Sequence, residues 1–148
     1  MRHYIGIDPG KTGGIAVVDE NGEIIDCSLF SKWLDMSVLL QSGYNSGKSS
    51  LVLLEEVHAM PGQGVSSMFN FGANYGGWVS LLEATQIPYV SVRPQKWQKY
   101  ILGTFPKGES KIRAYEYVTK RYPKLNLKKK DSGIVDAICM ALYLKDNH

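Results

Sequence analysis

Three features of the sequence predict an α/β fold built on a mixed sheet. Apolar runs at residues 4–7 and 15–18 flank a turn rich in glycine, Asp8-Pro9-Gly10 through Gly13-Gly14. Residues 51–57 form a nearly continuous apolar run of strand length, the pattern of a strand covered on both faces. Segments long enough for helices then alternate with one further strand, and the order of three strands, helix, strand, helix, strand, helices suits a mixed sheet with helices packed on it.

Taken in order, residues 4–7 and 15–18 are the first two strands, and Asp19-Glu20-Asn21-Gly22 is a turn leading into a third at residues 23–28, so the chain opens as an antiparallel meander. Residues 31–41, around Trp33, Leu34, Val38 and Leu39, read as a short helix, and 42–50 as a Gly/Ser/Asn loop before the 51–57 strand. Residues 58–65, with Pro61-Gly62-Gln63-Gly64, are a loop, and 66–85 a helix whose Gly72, Ala73, Gly76 and Gly77 would let another helix come close. Residues 87–92 are the fifth strand, 95–101 a short helix, 103–108 a loop, and 110–122 a helix with Ile112, Tyr115, Val118 and Tyr122 on one face. A charged connector at 123–131 precedes a closing helix with Ile134, Ile138 and Leu142 as its stripe, beside Val135 and Cys139.

With 148 residues, 44% of them apolar, the chain is sized for one domain over residues 1–148, and disorder and collagen-like repeats are excluded. No apolar stretch approaches the roughly 20 residues of a membrane span, and no cationic segment followed by an apolar core opens the chain, so a cytoplasmic location away from membranes is expected. Cys27 and Cys139 belong to no paired Cys/His pattern and are expected to be buried thiols. Charge is unevenly spread: residues 1–92 carry four basic and nine acidic side chains (−5), 93–130 twelve and two (+10), 131–148 one and three (−2). A cationic third of this kind attracts polyanions.

Acidic residues sit where they are costly. Asp8 follows a buried strand and opens the glycine-rich turn. Glu55 and Glu56 close the second apolar strand, and since neighbouring side chains point to opposite faces, one of them must face the core side or a site; the alternation leaves open which. Asp136 interrupts the apolar start of the last helix, with Asp131 just before it as an N-cap or a further ligand. Carboxylates with few His or Cys suit Mg²⁺ or Mn²⁺, and two such ions about 3.5–4 Å apart support phosphodiester cleavage. An acidic metal centre beside a cationic face is the arrangement of a nuclease.

In order along the chain, Ile5-Gly6-Ile7-Asp8-Pro9-Gly10, Gly13-Gly14-Ile15-Ala16-Val17-Val18, Leu53-Leu54-Glu55-Glu56-Val57, Val92-Arg93-Pro94-Gln95-Lys96-Trp97, Gly108-Glu109-Ser110-Lys111 and Asp136-Ala137-Ile138 resemble the RuvC family of Holliday junction resolvases. The wording at Pro94-Gln95-Lys96-Trp97 and Lys129-Lys130-Asp131 is most similar to bacteriophage-type members, whose setting is the cytoplasm of an infected bacterium. The resemblance implies a ribonuclease H-like five-stranded sheet flanked by helices, a homodimer, and Mg²⁺-dependent paired nicking of four-way DNA junctions. It implies Asp8, Glu55 and Asp136 as metal ligands, so deciding between Glu55 and Glu56, and Lys111 as a cation beside the scissile phosphate. Family members commonly carry an acid or a His three residues before the last Asp. Gly133 stands there in this chain, which leaves Asp131 as the candidate substitute.

Lys96, Lys99, Lys107, Lys111, Lys128, Lys129 and Lys130 are candidate phosphate contacts. His58, Met60 and Phe69 lie where the family places a group that stacks at the opened junction centre, with Phe69 read instead as helix or dimer core. Competing readings fare less well. Gly43-Tyr44-Asn45-Ser46-Gly47-Lys48-Ser49 imitates a P-loop but has three residues between its glycines where four are needed. A sugar-kinase or heat-shock ATPase superfamily member would need two such domains around its nucleotide. A non-catalytic junction-binding protein would have no use for three acids, and a broader debranching nuclease acting on forks is the alternative within nucleases.

Overall fold

The computed structural model describes residues 2–45, 50–57 and 61–148. Five strands, β1 (Tyr4–Asp8), β2 (Gly14–Val18), β3 (Ile24–Leu29), β4 (Leu51–Glu55) and β5 (Val90–Val92), form one sheet in the order β3-β2-β1-β4-β5. The meander β1-β2-β3 is antiparallel, while β4 and β5 run parallel to β1. The predicted mixed α/β sheet is therefore present with all five strands.

The period-two alternation of β1 and β4 divides the core in two. Ile5, Ile7, Val52 and Leu54 point to one face, where they meet Met36 and Leu40 of α1 (Trp33–Asn45) and Trp78 and Leu82 of α2 (Val65–Ala84). Tyr4 and Leu53 point to the other, packed with Val92, with Trp97 of α3 (Pro94–Leu102), with Ala114 and Val118 of α4 (Ser110–Arg121), and with α5 (Ser132–Asn147). From Gly133 to Leu144 every residue of α5 except Asp136 is buried, so this helix is enclosed rather than striped.

Its close seat depends on glycine. A Cβ on Gly6 would collide with the Ala137 carbonyl and come within 2.7 Å of the Ala141 nitrogen, and one on Gly133 would collide with the Thr12 carbonyl and stand 2.5 Å from Gly13. The first turn of α5 is thus pressed against the β1–β2 turn.

Several boundaries differ from the sequence reading, each for a local reason. Helix α1 runs on to Asn45 through residues expected to be loop, because Gly43 is buried against Val17. Residues 46–49 of the P-loop look-alike lie outside the described residues. The fifth strand is only Val90–Val92: the Ile87 N–H is taken by the Leu82 carbonyl at 2.9 Å, and Pro88 has no N–H to give a ladder. On α4 the buried face is Ala114 and Val118, whereas Ile112 is 57% exposed. Cys139 is buried as expected, but Cys27, on the edge strand β3, is half-buried. Among the described residues, no helix is long and apolar enough to cross a membrane.

Candidate active site

The two strand-end acids are brought together by sheet register. Ile7 pairs with Leu54 across the parallel β1–β4 ladder, so Asp8 and Glu55 emerge side by side at the same edge. Glu55 shares its face with Leu53 and therefore with α5, which settles what alternation alone left open. Glu56 is directed to the opposite face, half-buried, with its Oε2 3.7 Å from Arg93 Nε. Because α5 lies across Gly6, the Asp136 side chain is delivered to the same edge as Asp8.

Electrostatics record the convergence. Burial first, then the charge of Glu55 and that of Asp136, hold the Asp8 carboxyl well above the usual carboxylate range, and its hydrogen bond to Glu55 raises it further. Glu55 is raised mainly by burial, against two opposing hydrogen bonds, the first from Trp97 Nε1 to its Oε2 at 2.7 Å. Asp136 is pushed up to about 7 by burial and by the charge of Glu55. Lys111, exposed at the start of α4, acts in the opposite sense on both Asp8 and Asp136. Among the described residues none of the three carboxylates is in an ion pair.

Asp8 and Glu55 are in contact, while Asp136 reaches them through its field. Among the described residues no three acidic, imidazole or thiol side chains are gathered tightly enough to share one ion as they stand. The donors are nonetheless all carboxylate oxygens, desolvated and in no ion pair among the described residues, and that chemistry fits hard divalent cations.

Asp131 is tied by one oxygen to its own turn. Its Oδ2 accepts the Lys128 N–H at 2.9 Å, closing the 3₁₀ turn Lys129–Asp131, and its charge acts on Cys27 of β3. Gly133 leaves no room for a side chain of its own.

The carboxylates lie between two openings. Glu55 lines a groove of about 1100 Å³ together with Phe71, Arg93, Lys96 and Lys99. Asp136 lines a cavity of about 430 Å³ together with Lys111, Lys128, Lys129 and Ser132. Five of the seven candidate lysines thus flank the acids, whereas Lys107 and Lys130 are exposed and line neither opening. Phe69 stands out on α2, 75% exposed, and His58 and Met60 lie outside the described residues.

Three participants were not singled out from the sequence. In the sequence Trp97 is only one letter of a motif; a tryptophan one turn into a helix that follows a parallel strand is the available signal, and only folding shows what its N–H meets. Arg93 belonged to the cationic third without being picked out. Asn74 of α2 accepts the Gly10 N–H at 2.7 Å, fixing the turn after Asp8, and nothing in the sequence marks it.

A meander followed by two parallel strands, with acids at the ends of the first and fourth strands and on the closing helix, defines a ribonuclease H-like fold. More narrowly, it is the fold of RuvC. Thermus thermophilus RuvC in complex with a Holliday junction substrate superposes with a TM-score of 0.66 at 18% identity, covering 97% of this chain and 92% of that one. A second Thermus thermophilus RuvC structure gives 0.61 at 18% identity, covering 95% and 92%. No protein-family model and no curated protein matches the sequence.

Proposed function

We propose that this protein is a Mg²⁺-dependent, structure-selective endonuclease of bacteriophage type that resolves four-way DNA junctions by paired nicks, acting as a homodimer. The observation that carries this reading is the meeting of Asp8, Glu55 and Asp136, separated in sequence, at one sheet edge between two lysine-lined openings. The RuvC fold, one instance of which was solved with a Holliday junction substrate, adds support.

Asp8, Glu55 and Asp136 would hold the cations, and two carboxylates in contact with a third set back suit a pair of ions better than one. When bound, such ions supply water activation and neutralise charge on the scissile phosphate. Asp8, whose carboxyl is held above the usual carboxylate range, would have to be ionised to hold a cation, so occupancy would be sensitive to acid. Lys111 offers its ammonium to the phosphate under attack. Lys96 and Lys99 on one side, and Lys128 and Lys129 on the other, hold flanking phosphates and set the strand in place without reading sequence. Asp131 would join the carboxylate ligands only through its second oxygen, since its Oδ2 already accepts the Lys128 N–H.

Paired nicks need two sites, and α2 supports a dimer. Val65 is 82% and Phe69 75% exposed, and a Cβ at Gly72 or Gly76 would meet nothing within 4 Å, so among the described residues they form an unpartnered stripe at helical spacing.

The reading is tested by incubating wild type and Asp8→Asn with labelled four-way, forked and linear DNA, with and without Mg²⁺. Wild type should nick opposite strands of the four-way junction only with Mg²⁺, and Asp8→Asn should bind the junction without cutting it. Unchanged nicking by Asp8→Asn overturns the assignment, and equal cutting of forks turns it into a debranching enzyme.

A further inference from the structure

We infer that Trp97 is a positioning residue for Glu55: its indole N–H grips one carboxylate oxygen and so fixes the direction in which the rest of that carboxylate faces the cation site. The inference rests on the metal-dependent reading above and goes beyond it by naming a residue that touches neither cation nor DNA.

The geometry begins with the sheet. Val92 of β5 is in register with Glu55 of β4, and the Glu56 N–H donates to the Val92 carbonyl at 2.8 Å, so the two strands end together. One extended residue, Arg93, and Pro94 at the first position of α3 then turn the chain back over the face that α5 occupies. The first turn of α3 thereby sets Trp97 beneath the end of β4, 1% exposed, in the cluster that contains Leu53 and Val92. From there Nε1 reaches Glu55 Oε2 at 2.7 Å.

The chemistry of the donor matters. A glutamate side chain has three torsions to order, and a bond to a rigid, fully packed ring removes much of that freedom before any ligand arrives. Indole N–H is a donor only and does not titrate, so it can neither ligate a metal nor take up a proton. A lysine or arginine in the same place would anchor Glu55 equally well but cancel the negative charge that draws the cation. Trp97 anchors it and leaves the charge intact.

Burial alone does not account for the bond. Trp78 is as fully buried on the opposite face of the sheet, and among the described residues its Nε1 has no hydrogen-bond partner. The fold accommodates an unpartnered indole there, whereas at position 97 the N–H is aimed at a carboxylate.

The decisive substitution keeps the ring and removes only the donor: β-(3-benzothienyl)alanine at position 97, introduced by codon suppression, with Trp97→Phe as a second variant. Mn²⁺ binding to the DNA-free protein, followed by electron paramagnetic resonance, should weaken about 10–100-fold in both while the benzothienyl variant keeps the wild-type circular dichroism spectrum and a cooperative thermal transition. In metal-free wild type, the Trp97 indole proton should resonate downfield and move upfield in Glu55→Gln. If the benzothienyl variant binds Mn²⁺ as wild type does, the inference falls alone. If wild type takes up no Mn²⁺, the metal reading falls and takes this inference with it. Should neither variant fold, the indole resonance decides, and its indifference to Glu55→Gln overturns the inference.

Discussion

Helices α2 and α5 are both rich in apolar and small residues, yet they are used in opposite ways. Helix α5 is enclosed from Gly133 to Leu144, and its small residues are consumed in contact with the sheet. Helix α2 buries only Trp78 and Leu82, and its first three turns carry Val65, Phe69, Gly72 and Gly76 outward. The difference teaches that small residues mark close approach only where a neighbour is present. In α5 that neighbour is the sheet of the same chain, and the approach delivers a carboxylate. In α2 Gly77 is used in the same way, against the Trp33 ring of α1, whereas the stripe of Val65, Phe69, Gly72 and Gly76 is left unspent, as a partner would require.

The sharpest way to break this comparison is one substitution made in each setting. Gly6→Ala forces a methyl group into the Ala137 carbonyl and should cost about 3 kcal/mol or more, read from urea unfolding. Gly76→Ala meets open space on a helix and should instead stabilise by up to about 1 kcal/mol through helix propensity. If both shift stability in the same direction, the contrast between the helices is mistaken.

Next in size is the charge that α5 carries inward. With Asp136 raised to about 7 in the folded chain and near 4 when unfolded, the folded state binds more protons between those limits. Stability of the chelator-treated protein should therefore fall as pH rises from 4 to 7 and level off above, by linkage. Asp136→Asn should flatten that fall and melt at a higher temperature than wild type at pH 8. Adding Mg²⁺ at pH 8 should recover stability in wild type and little in the variant. A wild-type melting temperature that climbs from pH 5 to pH 8 without metal would contradict the direction of the shift.

The smallest effect on folding is expected on α2. Phe69→Asp should change the unfolding free energy of the monomer, measured at protein concentrations too low for association, by no more than about 0.5 kcal/mol, because the ring is exposed on its own chain. In sedimentation velocity the same substitution should convert a dimer to a monomer. A monomeric wild type would leave the apolar stripe unexplained by self-association.

The legibility of the molecule follows the range of the interactions involved. Turn chemistry and strand periodicity are local, so the β1-β2-β3 meander and the apolar β4 could be read directly. The choice between Glu55 and Glu56 could not be made from alternation, because the deciding fact is which face α5 covers. Helix α1 extends past its expected end because Gly43 finds Val17 in the core, and β5 is short because Ile87 bonds back to α2. For Asp131 the sequence shows an acid near Asp136 and not the backbone N–H that ties one of its oxygens to its own turn. Trp97 was hidden for the same reason: its partner lies 42 positions away.

The seam between Gly133 and the Thr12–Gly13 backbone also constrains how this sequence can change. An acid or histidine cannot be acquired at position 133 by one codon change, since its Cβ would strike the main chain of the opposing turn. The loop would have to lengthen or the helix withdraw in the same step, and withdrawal would carry Asp136 away from its companions. Descendants of this chain are thereby channelled toward recruiting any additional ligand from another segment.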